Sequence, residues 1–382
     1  MLNLKKQREI YKVYTAHTIH SVSLSLVSIY IPIYLLVQGY SLTQVILFYI
    51  TYHGIGLLFV FLGLVPLMNR FGLLRTFKVH YPLVITFFIL LNLLPFFNFP
   101  LFLIAVIGGM ANFTYWVPLN ILLIKHSAQE TMGSDLSKFL AFPKIFRIVG
   151  PLLSALFIPL IGFWFVFLLA VLGLIISFLP LARISQSAIS VQITARNLFS
   201  KLKERRMLFF LEGFDNVLEE SEWFWAIFVY IVIGSISSPG IVGGLEALGG
   251  AVFTLLVGKM ADKKDKKLVF SAAVGVILVW SARFFISAEL PAYLITIAAS
   301  FVMTAFLVSY FSIIYREVKN RKEEEFLILR EIPTVLGRMA VFGMILLSLN
   351  NLRVFFFLPI VLAIILIITL VYKSRVENKN TA

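Results

Sequence analysis

The chain has 382 residues, of which 60% are hydrophobic and 14% charged, with a mean hydropathy of +0.95 and a formal net charge of +14. Soluble domains are about 45–50% apolar and about 25% charged, so water is the wrong solvent for this composition and lipid is the right one. The absence of cysteine excludes disulfides, thiol catalysis and thiolate metal sites. The remaining metal ligands are few and no HExxH cluster occurs, so we expect no metal site, and we expect no cofactor. We also expect no nucleic-acid partner, because the basic residues lie in short loops between apolar runs, where they set membrane topology.

Twelve apolar runs are long enough to cross a bilayer, which takes about 20 mostly apolar residues. In chain order they cover residues 14–37, 44–68, 79–97, 101–124, 140–161, 163–182, 207–233, 241–260, 268–287, 291–315, 327–349 and 353–372. No small-residue cleavage site follows the first run, so we interpret it as a retained span and not as a signal peptide. The sequence therefore predicts an all-α polytopic membrane protein with twelve transmembrane helices.

The distribution of lysine and arginine predicts the orientation. With the N-terminus inside, every Lys and Arg falls on the inner side except Arg283, Arg338 and Arg353. An excess of positive charge in the inner loops is the rule for membrane proteins. We therefore expect a multi-pass protein of the cell (inner or plasma) membrane with both termini in the cytoplasm.

Two similar halves are indicated by features that recur at a shift of about 190 residues. The basic run 69–75 between spans two and three corresponds to the run 262–267 between spans eight and nine, and residues 100–104 correspond to 291–295. Two parallel six-span repeats with a solute site between them are a known transporter architecture. We predict an N-terminal six-helix bundle at 1–182, a cytoplasmic central loop at 183–206 and a C-terminal bundle at 207–382.

The two basic connections resemble a family signature. Residues 258–267 read GKMADKKDKK and residues 65–75 read VPLMNRFGLLR. Both are similar to the G-x-x-x-D-R-x-G-R-K loop of the major facilitator superfamily, although Asn69 replaces the acid in the first copy. In that family the loop holds the two halves in one conformation. The resemblance implies a conformational gating role for Gly258, Asp262, Lys263, Asn69, Arg70 and Gly72.

A second, partial resemblance lies in the fifth span. Residues 150–155 read GPLLSA, which is similar to part of the G-P-x-x-G-G motif of drug–proton antiporters, with Ser154 and Ala155 in place of two glycines. It favours a drug–proton antiporter as an alternative function. Gly-Pro pairs are also tolerated in membrane helices for structural reasons.

Four of the five acids in the seventh span, Glu212, Asp215, Glu219 and Glu222, are spaced 3, 4 and 3, and the last three are candidate pathway residues. At 100° per residue the four occupy an arc of about 80°, and a stripe of carboxylates cannot face lipid, where each charge costs at least about 2.5–3.5 kcal/mol. We hypothesise that Asp215 and Glu219 bind protons or a cationic group of the substrate. The alternative is that the acids are neutralised by arginines such as Arg338.

The first span has His17, Ser21, Ser25 and Ser28 on one side, with His20 at the edge. Histidine titrates near neutrality, so this side is a candidate pathway lining that includes His20 and Ser25. Serine hydroxyls also pack helices together in membranes, and that alternative stays open.

Further candidates for the pathway lie in three other spans. His53 and Glu246 are related by the repeat offset and both lie in glycine-containing stretches, and Asn112, Trp116 and Asn120 stack at i, i+4 and i+8 in the fourth span. Aromatic walls with sparse amides suit sugars, amphiphiles and drugs alike, although aromatics at helical spacing also occur in simple packing.

Two arginines lie inside predicted spans, Arg283 and Arg338. We expect both to neutralise acids, because an unpaired charge in the membrane is costly. Arg338 is also a candidate pathway residue, and it could hold an anionic substrate.

We interpret the chain as a secondary active transporter that moves a small solute by alternating access, coupled to protons or another ion. We expect it to be a monomer. No GxxxxGK[ST] motif occurs, so ATP drive is not expected. A drug–proton antiporter or lipid exporter is the alternative within transport. From other classes, a membrane-embedded enzyme and a non-transporting sensor stay open; the enzyme is disfavoured because the outer loops offer only Glu289 as a catalytic acid.

Overall fold

The structure, a computed structural model, describes residues 2–97, 99–126, 146–182, 204, 206–321 and 324–381. The regular structure in these residues is helical. The helices are α1 (Leu2–Ser25), α2 (Ile31–Val37), α3 (Leu42–Phe59), α4 (Val65–Phe71), α5 (Leu73–Leu93), α6 (Leu101–His126), α7 (Val149–Ile161), α8 (Phe163–Ala182), α9 (Arg206–Ile233), α10 (Ser238–Arg283), α11 (Glu289–Arg321), α12 (Glu324–Leu329), α13 (Glu331–Leu347) and α14 (Phe357–Thr381). A π-helical turn at Val60–Leu64 joins α3 to α4, and a 3₁₀ turn at Leu352–Phe356 precedes α14.

Six helical stretches within the described residues are long and apolar enough to cross a membrane: Leu42–Phe71, Leu73–Leu93, Leu101–Leu122, Phe163–Ala182, Glu289–Leu307 and Leu352–Tyr372. Two shorter apolar helices, Val149–Ile161 and Leu268–Arg283, accompany them. These stretches follow eight of the predicted runs in order. The prediction of an all-α polytopic membrane protein is confirmed.

The first predicted span is not one helix. α1 ends at Ser25, residues 26–30 form turns, and α2 begins at Ile31. Two features break it: Pro32 has no N–H to continue the helical hydrogen bonds, and the Ser25 hydroxyl bonds back to the carbonyl of Val22 at 2.7 Å. The second span runs from Leu42 to Phe71, and its π-helical turn lies directly before Pro66.

α10 contains the eighth and ninth predicted spans together with the connection between them, and the helical backbone continues through that connection. The helix cannot be straight, because Gly249 packs against Ser300 and Gly275 packs against Val302, two near neighbours in α11. In a straight helix the two glycines would lie about 39 Å apart. α10 therefore bends back on itself and crosses the molecule twice, as two predicted spans require.

The two halves of the chain meet mainly at two places, where α7 packs on α10 and α3 packs on α13, with a smaller contact between α12 and α6. In the predicted numbering these are spans five with eight and two with eleven. A shift by half the chain exchanges the two pairs, which is the pattern that a pseudo-twofold axis produces. The domain boundaries themselves stay a prediction, since most of the central loop lies outside the described residues.

The GPLLSA motif of the fifth span takes part in this packing. Gly150 lies against Ser25, the Ser154 hydroxyl donates to the carbonyl of Leu26 at 2.6 Å, and Pro151 lies against Gly240 of α10. Because Gly150 and Gly240 have no side chain, α1, α7 and α10 can approach closely. The motif therefore has a structural explanation that requires no antiport.

Candidate functional site

The exposed face of α9 is a narrow polar stripe. Between residues 214 and 229 every side chain is buried except Asp215, Glu219 and Trp223, which follow one another at i, i+4 and i+8. We call these three residues the acidic stripe. Because carboxylates do not face acyl chains, this side of α9 borders a polar space.

α6 carries a matching stripe in the other half of the chain. Between residues 111 and 122 every side chain is buried except Asn112, Trp116 and Asn120, again at i, i+4 and i+8. We call these the amide stripe. Two amides on the one open face indicate that this helix also borders a polar space, and Trp116, which is 40% exposed, lies edge-on to His17 of α1.

Charges from both halves act across the space between the helices. Arg147 acts electrostatically on His17 in the first half and on Glu246 of α10 in the second. Glu246 also lies in the field of Glu219. Arg147 thus lies within interaction range of titratable side chains from both halves of the chain.

Arg338 of α13 is the centre of a polar network beside the acidic stripe. Its Nη2 donates to Glu219 Oε2 at 3.1 Å and its Nε donates to Asn216 Oδ1 at 3.2 Å. Nε also lies 3.4 Å from Glu220 Oε2. The fifth member is His53 of α3, whose Nδ1 lies 3.4 Å from Arg338 Nη1. These five residues, the Arg338 network, join both halves of the chain, and the expectation that Arg338 neutralises acids is confirmed.

The network continues along α9 to Glu212, which is buried. The Thr334 hydroxyl donates to Glu212 Oε1 at 3.0 Å, the Asn216 amide donates to the same oxygen at 3.2 Å, and Arg330 Nε lies 3.5 Å from it. Glu212 is thus held between α9 and α13 and turned away from the acidic stripe. Glu331, also buried at the start of α13, acts electrostatically on Arg338.

Glu222 does not line the polar space, which corrects its predicted place in the pathway. Both of its oxygens accept from Arg283 of α10, at 2.8 and 2.6 Å. The Arg283 guanidinium is fully buried between the rings of Trp225 and Trp280, at 4.4 and 4.1 Å from their centroids. Glu222 lies only about 20° from Asp215 around the helix, so the difference comes from its position along α9, where α10 presents Arg283.

His53 and Glu246, which the repeat offset relates, lie in different surroundings. The structure gives the two residues different partners: His53 contacts Arg338 and lies 3.8 Å from Glu220 Oε1, whereas Glu246 lies in the field of Glu222 and Arg283. Their place in the pathway stays a prediction. The repeat offset could not show that they lie beside different helices.

A buried histidine cluster occupies the first half. His20 Nε2 lies 2.8 Å from His80 Nε2, His80 Nδ1 donates to the carbonyl of Ala111 at 2.8 Å, and His20 stacks on Tyr115 with ring centroids 3.7 Å apart. His17 Nδ1 lies 2.7 Å from the Tyr115 hydroxyl. All four side chains are buried, so the predicted pathway residue His20 packs within the helices and does not face the open space.

Ser25 lies in the contact between α1 and α7, where Gly150 packs directly against it. Of the two readings that the sequence left open for this residue, the geometry favours helix packing. Ser28, by contrast, is exposed, and it lies in the turns that separate α1 from α2.

The gating motif is described in its first copy only. Gly72 ends α4 and precedes α5 with a φ of +83°, a left-handed conformation that glycine adopts without strain. Asn69 and Arg70 are exposed at the end of α4. Gly258, Asp262 and Lys263 lie within α10, and their side chains are outside the part of the structure that is described.

Comparison with known proteins places the fold. The chain is similar to the crystal structure of a bacterial homologue of the iron transporter ferroportin in an outward-facing state, with a TM-score of 0.71 at 14% identity over 96% of this chain and 99% of that chain. The same bacterial homologue with soaked iron gives a TM-score of 0.68 at 14% identity, over 95% and 98% of the two chains. The chain shares the fold of that bacterial protein. No protein-family model matches the sequence, and a search of curated proteins gave no match.

At 14% identity the similarity shows the fold alone and assigns no residue a role. Three buried groups of the site were missed from sequence: His80, Glu331 and the central position of Glu220. His80 and Glu331 lie near the starts of their predicted spans, and Glu220 follows Glu219, which has the more regular spacing. Only their contacts with other helices identify these residues, and the spacing along one helix does not show such contacts.

Proposed function

We propose that the protein is a secondary transporter that moves a small solute by alternating access, with the solute and a coupling proton bound between the two halves. The observation that carries the proposal is the pair of open polar stripes, acidic on α9 and amide on α6. Each is the one unburied face within its stretch of helix, and they belong to different halves of the chain.

The acidic stripe is suited to holding a proton or a cation. Glu219 has a side chain that is 67% exposed and is tied to Arg338 through one oxygen, so it can exchange partners without unfolding its surroundings. Asp215, one turn away, is half-buried and offers a second carboxylate on the same face.

The aromatic members give the solute a surface to pack against. Trp223 lies edge-on to Tyr49 of α3 at 4.5 Å and to Phe342 of α13 at 6.0 Å, so its ring stands where the halves meet. Trp116 is the middle residue of the amide stripe in the other half. Sites that combine aromatic walls with a few polar groups bind small organic molecules.

Alternating access requires contacts between the halves that can open. The described contacts are concentrated at α7 with α10 and α3 with α13, and rocking about such paired contacts is the usual motion of transporters built from repeats. We assign Asp262 and Lys263 the gating role that the loop resemblance implies. We also place both termini in the cytoplasm and the protein in the cell membrane, on the distribution of positive charge.

Iron is the cargo named for the transporter to which the similar bacterial structures are homologous. Within the described residues no group of three or more His, Asp and Glu side chains is placed to hold a metal ion. The proposal therefore names no metal, and Fe²⁺ enters as one solute of the test.

The test uses purified protein in liposomes that contain a pH-reporting dye. An organic cation (tetraethylammonium), a hexose and Fe²⁺ are added in turn, and solute uptake is recorded with proton movement. For a solute that moves, the double variant Asp215→Asn/Glu219→Gln should reduce uptake at least about tenfold, which corresponds to about 1.4 kcal/mol of lost binding.

Glu289→Gln is the matched control, since it removes one carboxylate from an exposed position at the start of α11. It should transport as the unaltered protein does. Unchanged uptake in the double variant would refute the role of the acidic stripe. Product formation without flux would indicate an enzyme, and binding without flux would indicate a sensor. Proton movement opposite to the solute would identify an antiporter.

A further inference from the structure

His53 is the member of the Arg338 network that comes from the first half of the chain. It lies on α3, is 3% exposed, and its ring stacks on Phe342 of α13 at 5.7 Å. Its Nδ1 lies 3.4 Å from Arg338 Nη1, and its Nε2 lies 3.8 Å from Glu220 Oε1. Both partners belong to the second half, so the imidazole is part of the contact between the halves.

The donor inventory of these groups fixes the protonation state of His53 in this arrangement. A guanidinium carries only N–H donors and no acceptor, and it stays charged in proteins. The ring nitrogen that faces it must therefore accept, so Nδ1 carries no hydrogen. A neutral imidazole has one N–H, which then lies on Nε2 and points towards Glu220.

A proton on Nδ1 would place an N–H of a cationic ring directly against an N–H of a cationic guanidinium. The contact between His53 and Arg338 and the protonation of Nδ1 therefore exclude each other. Glu220, 3.8 Å from Nε2, would attract the charged ring, but it lies on the other side of the ring from Nδ1 and leaves the two N–H groups facing each other. The repulsion is relieved when α3 and α13 move apart at this level.

We propose that His53 is a proton-binding residue of the contact between the halves, and that its protonation separates α3 from α13. The inference rests on the proposed alternating access and assigns its coupling proton a site. It also connects that site to the open space, because Arg338 joins His53 on one side to Glu219 of the acidic stripe on the other. A cation or proton that binds Glu219 loosens Arg338 and so changes its hold on His53.

The titratable and charged groups around His53 come from each neighbouring element. Tyr49 and Tyr52 lie on α3 itself, with ring centroids at 6.5 and 4.9 Å. α13 contributes Arg338, on which Glu331 acts from the start of the same helix, and α9 contributes Glu219 and Glu220. Where α6 packs on this part of α3 it presents glycines, Gly108 and Gly109, against Tyr52. Arg338 is the one cation among these groups, so the effect of a proton on His53 is directed at it.

The experiment measures the separation of α3 and α13 directly. The sequence has no cysteine, so Leu47→Cys and Leu347→Cys add a single pair for spin labels; these positions are 49% and 83% exposed on the two helices. Distances between the labels are measured in liposomes at about pH 5 and about pH 8, which bracket imidazole titration. We expect the distance to be larger at acid pH by at least about 5 Å, the scale of a one-turn displacement between packed helices.

Two substitutions of His53 have opposite expected results. His53→Asn keeps an acceptor for Arg338 but cannot take a proton near neutrality, so it should hold the short distance at both pH values. His53→Lys places an ammonium against Arg338, so it should give the long distance at acid pH and favour it at neutral pH. His80→Asn is the control: it removes a histidine from the buried cluster of the first half and should keep the response of the unaltered protein.

The proposal is overturned if the unaltered protein shows no pH response, if acid brings the labels together, or if the His53→Asn protein still responds as the unaltered protein does. The two proposals fail separately. A pH response that His53→Asn abolishes, without solute flux, would leave the His53 switch in place and refute transport. Normal pH-dependent flux in the His53→Asn protein would refute the switch and leave transport in place.

Discussion

At the scale of single residues, Arg283 and Arg338 have different surroundings, although the sequence predicts the same role, neutralising acids, for both. Arg283 is fully buried and bonded through two nitrogens to one carboxylate, Glu222, between two indole rings. Arg338 shares its nitrogens among several partners from both halves, one of them the exposed Glu219. The first arrangement is a fully buried two-bond ion pair, and the second can exchange partners. We therefore propose that Arg283 serves stability and Arg338 serves transport.

This assignment predicts a large stability effect at the buried pair. Glu222→Gln leaves the Arg283 charge uncompensated and should lower the free energy of unfolding by about 3–5 kcal/mol, the usual cost of breaking a buried ion pair. The double variant Glu222→Leu/Arg283→Met removes both charges and should recover most of that loss. Unfolding by SDS titration of the detergent-solubilised protein measures both. Equal losses in the single and double variants would contradict the assignment.

At the scale of elements, α9 shows how one helix divides its acids between two tasks. Asp215 and Glu219 are four residues apart and share the open face, whereas Glu212 and Glu222 each lie three residues from that pair and turn towards α13 and α10. The polar contacts of α9 with α13 require the two helices to approach closely. They do so where Gly337 packs against the backbone of Gly213.

The close approach predicts different outcomes for two glycines of α13. In Gly337→Ala the added methyl group meets the carbonyl of Gly213, a backbone atom that cannot turn aside, so we expect a loss of about 1–3 kcal/mol. Gly343→Ala meets nothing within 4 Å and removes the helical penalty of glycine, so it should be neutral or stabilising by up to about 1 kcal/mol. Thermal unfolding in detergent compares the two. Equal effects would mean that α9 and α13 are not in backbone contact here.

At the scale of the whole molecule, the acidic and amide stripes must face water for the proposed function to hold. Single cysteines at Asn112 and Glu219 should react with a membrane-impermeant, water-soluble thiol reagent. Leu172→Cys in α8 is the control, since Leu172 is 47% exposed on an otherwise apolar span and we expect it to face lipid. Labelling of the protein in liposomes, read by mass, measures all three. Reaction at Leu172 and not at the stripes would place the stripes in lipid and refute the site.

Much of the candidate site was accessible from the sequence because helical spacing is a local property. Asp215 with Glu219, and Asn112 with Trp116 and Asn120, were each placed on one face by counting residues, and each set is the open face of its helix. The same counting put Glu222 on the acidic side, where it does not lie. The spacing of the acids along α9 does not show which neighbouring helix carries the arginine that pairs with Glu222.

The sequence by itself determined that the chain lies in lipid, that it is all-α, the order of its spans and the polar faces of α6 and α9. These features follow from hydropathy and periodicity, which are properties of one or two turns of helix. The tertiary structure alone decided that α10 folds back, that Arg283 takes Glu222 while Arg338 takes Glu219, and that His20 is enclosed with His80. It also brought His53 from one half to Arg338 of the other. Those outcomes depend on contacts between residues far apart in the chain, and which helix faces which is set by packing that no single helix encodes.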